Sequence, residues 1–318
     1  MPVRDRLLAA LVAVLWGLNF PAIAVSLEQF PPYFLVALRF ALIAVPTVLL
    51  VSRPAVPWGW VLGYGLGFGV LQFVFLYSAL DRGMPPGLAS LVLQSSAPFT
   101  VVLAGALLRE RLTGRQCAGV ALAVAGLAGI AAHRAEVGGG AMLLPVLLTL
   151  GGGLGWALGN LCSRQARGAS PFRLTLWMTV VPPLPMLAAS LLLEGRGRIG
   201  TSLSTLDTQR GAIAVGGLAF TVLVATLVGS GIWTTLMSRH PTSTVAPFSL
   251  LVPVVGTAAS ALLFDERLHL VEMLCGVVVV TGVLLGAGAG RTRRAAPVRP
   301  EVTGPHDVRA GGPREQRV

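Results

Sequence analysis

Residues 86–112 read PGLASLVLQSSAPFTVVLAGALLRERL, and residues 241–268 read PTSTVAPFSLLVPVVGTAASALLFDERL. Each stretch opens on a proline (Pro86, Pro241) and has another twelve residues later (Pro98, Pro253). Each then runs through apolar residues to Glu-Arg-Leu, at Glu110-Arg111-Leu112 and Glu266-Arg267-Leu268. Self-similarity at a long fixed spacing is the mark of an internal repeat. Each copy also holds about 20 mostly apolar residues, enough to cross about 30 Å of hydrocarbon. Upstream, Trp16-Gly17-Leu18-Asn19 opens the first half. Gly155-Trp156-Ala157-Leu158-Gly159-Asn160 occupies the same place in the second.

Working outward, apolar stretches fall at 7–27, 31–52, 57–80, 86–108, 116–132, 141–163, 171–193, 211–238, 243–264 and 268–289. The reading is an all-α integral membrane protein of ten transmembrane helices. The first five fall in residues 1–138 and the second five in 139–290. An odd number of crossings turns the second copy upside down, so the two repeats are inverted. That is the plan of secondary carriers, whose halves rock about a central site. Residues 291–318 are rich in Pro, Gly and Arg and are expected to form a disordered cytoplasmic tail.

Composition agrees. Of 318 residues, 54% are hydrophobic and 12% charged, about half the charge of a typical soluble domain. The formal net charge of +11 comes from arginine, for the chain has no lysine. These arginines gather at helix ends and in the tail, which reads as membrane topology and excludes nucleic acid as a partner. A cytoplasmic N-terminus puts Arg4, Arg6, Arg53, Arg109, Arg111, Arg115, Arg164, Arg167, Arg239, Arg291, Arg293 and Arg294 inside. It leaves Arg82, Arg134, Arg196, Arg198, Arg210 and Arg267 outside. The bias places both termini in the cytoplasm of a multi-pass inner-membrane protein. The basic start at Arg4 and Arg6 leads into a first span and not a cleaved signal.

Catalysis finds no footing. Cys117, Cys162 and Cys275 form no CxxC pair, and His133, His240, His269 and His306 form no HExxH. No metal, cofactor or catalytic residue is expected, nor an enzyme. The partners implied are a small-molecule substrate and the bilayer. The glycine run Gly63, Gly65, Gly67, Gly69 lacks the Lys-Ser or Lys-Thr of a phosphate loop.

The candidate pathway rests on polar residues inside spans. Arg39 lies about 10 Å into the second span. It either faces a wet cavity, where it can hold a carboxylate, or snorkels outward toward Glu28. Pro98 and Pro253 break the fourth and ninth spans and free the carbonyls of Gln94 and Ser249. These breaks mark either a binding site or plain kinks satisfied by neighbours. Asn19 and Asn160, each near a tryptophan (Trp16, Trp156), either join helices or touch substrate. Gln72, Thr226, Ser230 and Trp233 are weaker candidates of the same kind.

The sequence resembles the drug/metabolite transporter superfamily, and within it the EamA group, over about residues 5–290. The resemblance is carried by Trp16-Gly17-Leu18-Asn19-Phe20, Leu38-Arg39-Phe40, Gly231-Ile232-Trp233 and Asp265-Glu266-Arg267-Leu268. The runs Gly87-Leu88-Ala89-Ser90-Leu91-Val92-Leu93-Gln94 and Leu250-Leu251-Val252-Pro253-Val254-Val255-Gly256 look like its O-acetylserine/cysteine exporter branch. The resemblance implies ten helices, cytoplasmic termini and efflux of small amino-acid metabolites.

Overall fold

A computed structural model describes residues 1–287 except 167 and 169, and all regular structure among them is helical. Among the described residues, nine helices are long and apolar enough to cross a membrane. They are α1 (Val3–Leu27), α2 (Pro32–Leu50), α3 (Trp58–Asp81), α4 (Pro86–Leu107) and α5 (Gly114–Gly138). Then come α6 (Gly140–Gln165), α7 (Pro171–Leu193), α8 (Gln209–Arg239) and α9 (Ala246–Phe264). A tenth apolar helix, α10 (Leu270–Gly286), is shorter. Each expected stretch is therefore largely helical over its described residues, and nine of the ten meet the length of a span. The expected tail, 291–318, lies outside the described residues.

The outer surface explains why such a chain needs lipid. Leu50, Leu192 and Leu262 are each more than 80% exposed, a cost in water that hydrocarbon removes. Inside, Phe20, Phe40, Phe73, Tyr77 and Leu88 belong to one continuous buried cluster.

The sequence places a loop near residues 133–140, but the backbone stays helical through Gly114–Gln165, 52 residues. A straight helix of that length would reach about 78 Å. The chain instead turns back: Arg164, near its end, bonds Glu110, just before its start, at 2.8 Å. Three consecutive glycines, Gly138 to Gly140, sit at the turn. The first arm packs on α10 through Gly119 against Gly282, and the second packs on α3 through Gly159 against Phe68.

Irregular turns fall at matching places in the two halves. A 3-10 turn at Leu93–Ser95 interrupts α4, and another at Ala246–Leu250 opens α9. Pro98 and Pro253 each stand third in the α-helical segment that follows, Ser96–Leu107 and Leu251–Phe264. Proline cannot donate to the preceding turn, so that turn tightens. A second matched pair has no proline: α3 and α8 are π-helical over Gly65–Leu71 and Phe220–Gly229. Wide turns of this kind are rare and concentrate at functional sites.

Glycines bring α3 and α6 close together. A Cβ on Gly67 would lie 2.5 Å from the Gly159 backbone nitrogen, so α3 and α6 touch backbone to backbone. Gly67→Val should therefore destabilise the protein by about 1–3 kcal/mol through overpacking. The check is thermal unfolding in detergent, and an unchanged midpoint would contradict this packing.

Candidate functional site

Arg39 is the eighth residue of α2, and its side chain turns inward: the residue is only 6% exposed. Its Nη1 donates to the Tyr77 hydroxyl of α3 at 3.1 Å, and its Nη2 to the Thr226 hydroxyl of α8 at 3.1 Å. The guanidinium lies 4.3 Å from the Phe73 ring centroid and 5.3 Å from that of Phe40. Among the described residues it forms no ion pair, and its Nε finds no hydrogen-bond partner. The outward, snorkelling reading is overturned by this burial and these inward bonds, and Glu28 lies beside Arg210, at 3.9 Å. Arg39 instead sits between α3 and α8, where little solvent reaches it.

Burying a cation without an anion is costly, and hydroxyl dipoles and ring faces offset only part of that cost. The two hydroxyls also differ. Thr226 passes its own proton to the Thr221 carbonyl at 2.7 Å, an i−5 bond that the π turn of α8 permits. Both of its hydrogen-bonding roles are thus engaged. Tyr77 accepts from Arg39, but its proton has no acceptor among the described residues. The site therefore holds a fixed positive charge with unused donors, among them Arg39 Nε–H and Tyr77 O–H, which suits an anion such as a carboxylate.

The other candidates divide into groups. Trp16 joins the Arg39 region: its indole donates to the Ala225 carbonyl at 3.0 Å, and its ring lies 5.1 Å from Trp233. Trp156 connects more distantly, through Phe68 at 5.6 Å and Phe73 at a further 6.0 Å. Asn19 Oδ1 and Gln72 Oε1 are buried without a donor among the described residues. Asn160 acts between helices, with Nδ2 3.4 Å from Thr100 Oγ1, and Thr100 in turn donates to the Ser96 carbonyl at 2.6 Å. That ties α6 to the break in α4.

Gln94 is half-buried, and its side chain makes no hydrogen bond among the described residues. Ser249 is less available than its position suggests, because its hydroxyl donates to the Ala246 carbonyl at 2.7 Å within its own turn. The carbonyls freed by the prolines are also partly used. The Ser96 N–H points to Leu93 and Gln94, and the Leu251 N–H to Phe248 and Ser249. Tyr77 was missed by sequence reasoning. A tyrosine in an aromatic-rich span carries no mark until the fold brings Arg39 to it.

A model described as the EamA-like transporter family matches residues 6–132 and again 143–287. The chain is 42% identical over 302 residues to the "Probable amino-acid metabolite efflux pump" of Escherichia coli (strain K12), covering 94% of this chain and 99% of that one. It is also 42% identical over 303 residues to the protein of the same description in Salmonella typhimurium, with the same coverage. A solved crystal structure, titled only as that of a protein, superposes with a TM-score of 0.58. It covers 91% of this chain and 98% of the other at 19% identity, a likeness of fold alone.

Proposed function

This chain belongs to the EamA-like transporter family, and from that premise we propose that it exports small zwitterionic amino-acid metabolites, such as O-acetylserine or cysteine, across the inner membrane. The observation that carries the substrate class is Arg39, a buried cation with unused donors and no ion-pair partner among the described residues. It receives the substrate carboxylate, with Tyr77 donating beside it. The relatives described as amino-acid metabolite efflux pumps support the same class and the outward direction.

The mechanism is alternating access by ten helices in two inverted repeats, residues 1–138 and 139–290. The site is occluded in this conformation, so substrate reaches Arg39 only when helices part. Matched wide turns in α3 and α8, and matched breaks in α4 and α9, provide places where each half can flex. The substrate ammonium lies toward Gln94 and Ser249, at those breaks. A broader drug exporter is the second reading. Bulky cations would favour an intramembrane carboxylate, however, whereas Arg39 is a buried cation.

Gln94→Leu tests the ammonium end, keeping approximate volume while removing the acceptor. Binding of O-acetylserine to the purified variant should weaken roughly tenfold, the scale of one lost hydrogen bond to a charged group. Unchanged affinity in a folded variant would move the ammonium elsewhere. Topology is tested separately, with both termini placed in the cytoplasm. Cysteine introduced at the exposed position Ser204 should react with an impermeant reagent outside intact cells, and cysteine at Thr303 should not. The reverse pattern would invert the protein.

A further inference from the structure

Two helices of the first half begin without a cap of their own. α2 starts at Pro32, after Pro31, and α4 at Pro86, after Pro85, so the residue at each N-cap is a proline with no side-chain oxygen to offer. The next two N–H groups of each helix need an acceptor. Both pairs find a glutamate from the second half. Glu194, at the end of α7, accepts from Tyr33 N–H at 2.7 Å and from Phe34 N–H at 3.1 Å. Glu266, after α9, accepts from Gly87 N–H at 2.9 Å and from Leu88 N–H at 3.1 Å. In each case the two carboxylate oxygens take one N–H apiece.

Surrounding groups hold the two carboxylates in place. The Ser190 hydroxyl donates to Glu194 at 2.6 Å. A Cβ on Gly87 would lie 2.9 Å from a Glu266 oxygen, so only glycine allows this approach without displacement. With each helix crossing once, the starts of α2 and α4 and the ends of α7 and α9 share one face, opposite the N-terminus. At the N-terminal face the repeat counterpart of Glu266, Glu110, is half-exposed and bonds Arg164 at 2.8 Å. The Glu-Arg-Leu turn thus makes a helix cap at one face and a surface ion pair at the other.

We propose that Glu194 and Glu266 are the gating residues of transport, two latches that tie the second half to the first and hold the mouth opposite the N-terminus shut. This rests on the transporter reading but not on the identity of the substrate. A charge-assisted bond to a helix start is stronger than a neutral one, yet it breaks as a unit when the halves rock apart. Opening of that mouth requires both caps to release.

Ser90 reports the event. It lies one turn below the Glu266 cap, is 1% exposed, and packs against Gly256 of α9. The experiment uses full-length protein in proteoliposomes, with the native cysteines replaced and Ser90→Cys introduced. The readout is its rate of reaction with an impermeant maleimide from the face opposite the N-terminus. Glu266→Gln and Glu194→Gln should each speed labelling about tenfold, and the double variant more. Glu266→Asp, one methylene shorter but still anionic, should give an intermediate rate, and serves alone if a glutamine variant does not insert. Wild-type labelling rates in the inserted variants would overturn the proposal. Substrate binding, measured on the same samples, separates failure of the gate from failure of the Arg39 site.

Discussion

Arg39→Ala should reduce substrate-dependent flux below about one hundredth of wild type, a loss of about 2.7 kcal/mol or more. The protein should still insert at normal levels. The effect is large because the guanidinium is a buried cation with no ion-pair partner among the described residues, and each hydrogen bond to a charged group contributes about 1.5–3 kcal/mol. Stability should change little. Removing the side chain relieves the desolvation of a buried charge. That gain offsets the missing hydrogen bonds to Tyr77 and Thr226 and the missing attraction to the Phe73 ring. Arg39→Lys should recover only part of the flux, since an ammonium lacks the planar fork that spans two hydroxyls and a ligand. Wild-type flux in Arg39→Ala would remove the residue from the pathway.

Tyr77→Phe should weaken O-acetylserine binding about 10–100-fold, or roughly 1.4–2.7 kcal/mol. The phenol does two things: it anchors Nη1 and keeps a proton free for the ligand. Thr226→Val makes the control. It also removes an anchor, but the threonine proton is already bound to Thr221, so the loss in affinity should be smaller. Isothermal titration of the two purified variants separates these outcomes. Equal losses would mean that Tyr77 only positions Arg39.

How far the sequence led is clear from particular residues. Helical stretches were legible because hydropathy and length are local properties. The breaks at Pro98 and Pro253 were legible because proline acts on its own turn. Arg39 stood out because a charge inside a span demands a reason, but its partners come from residues 38 and 187 positions away. The π turns escaped notice, since Gly65-Leu66-Gly67-Phe68-Gly69 reads equally well as a packing surface. Glu266 was visible only as part of a repeated motif. Its role as a cap depends on Gly87, 179 residues earlier.

The loop expected between the fifth and sixth spans failed for a physical reason as well. Consecutive glycines are poor helix formers, yet helical hydrogen bonding continues through Gly138–Gly140 as the chain turns. Ser249 shows the opposite limit: a polar residue at a promising depth gives its proton to its own turn.

The most direct measurement is counterflow in proteoliposomes loaded with unlabelled O-acetylserine and supplied with the labelled compound outside. The account predicts saturable accumulation that small amino acids with a free carboxylate compete away and their methyl esters do not, and that Arg39→Ala abolishes. Flux that rises linearly with concentration, or that esters inhibit as well as free acids, would contradict a carrier that holds its substrate by the carboxylate.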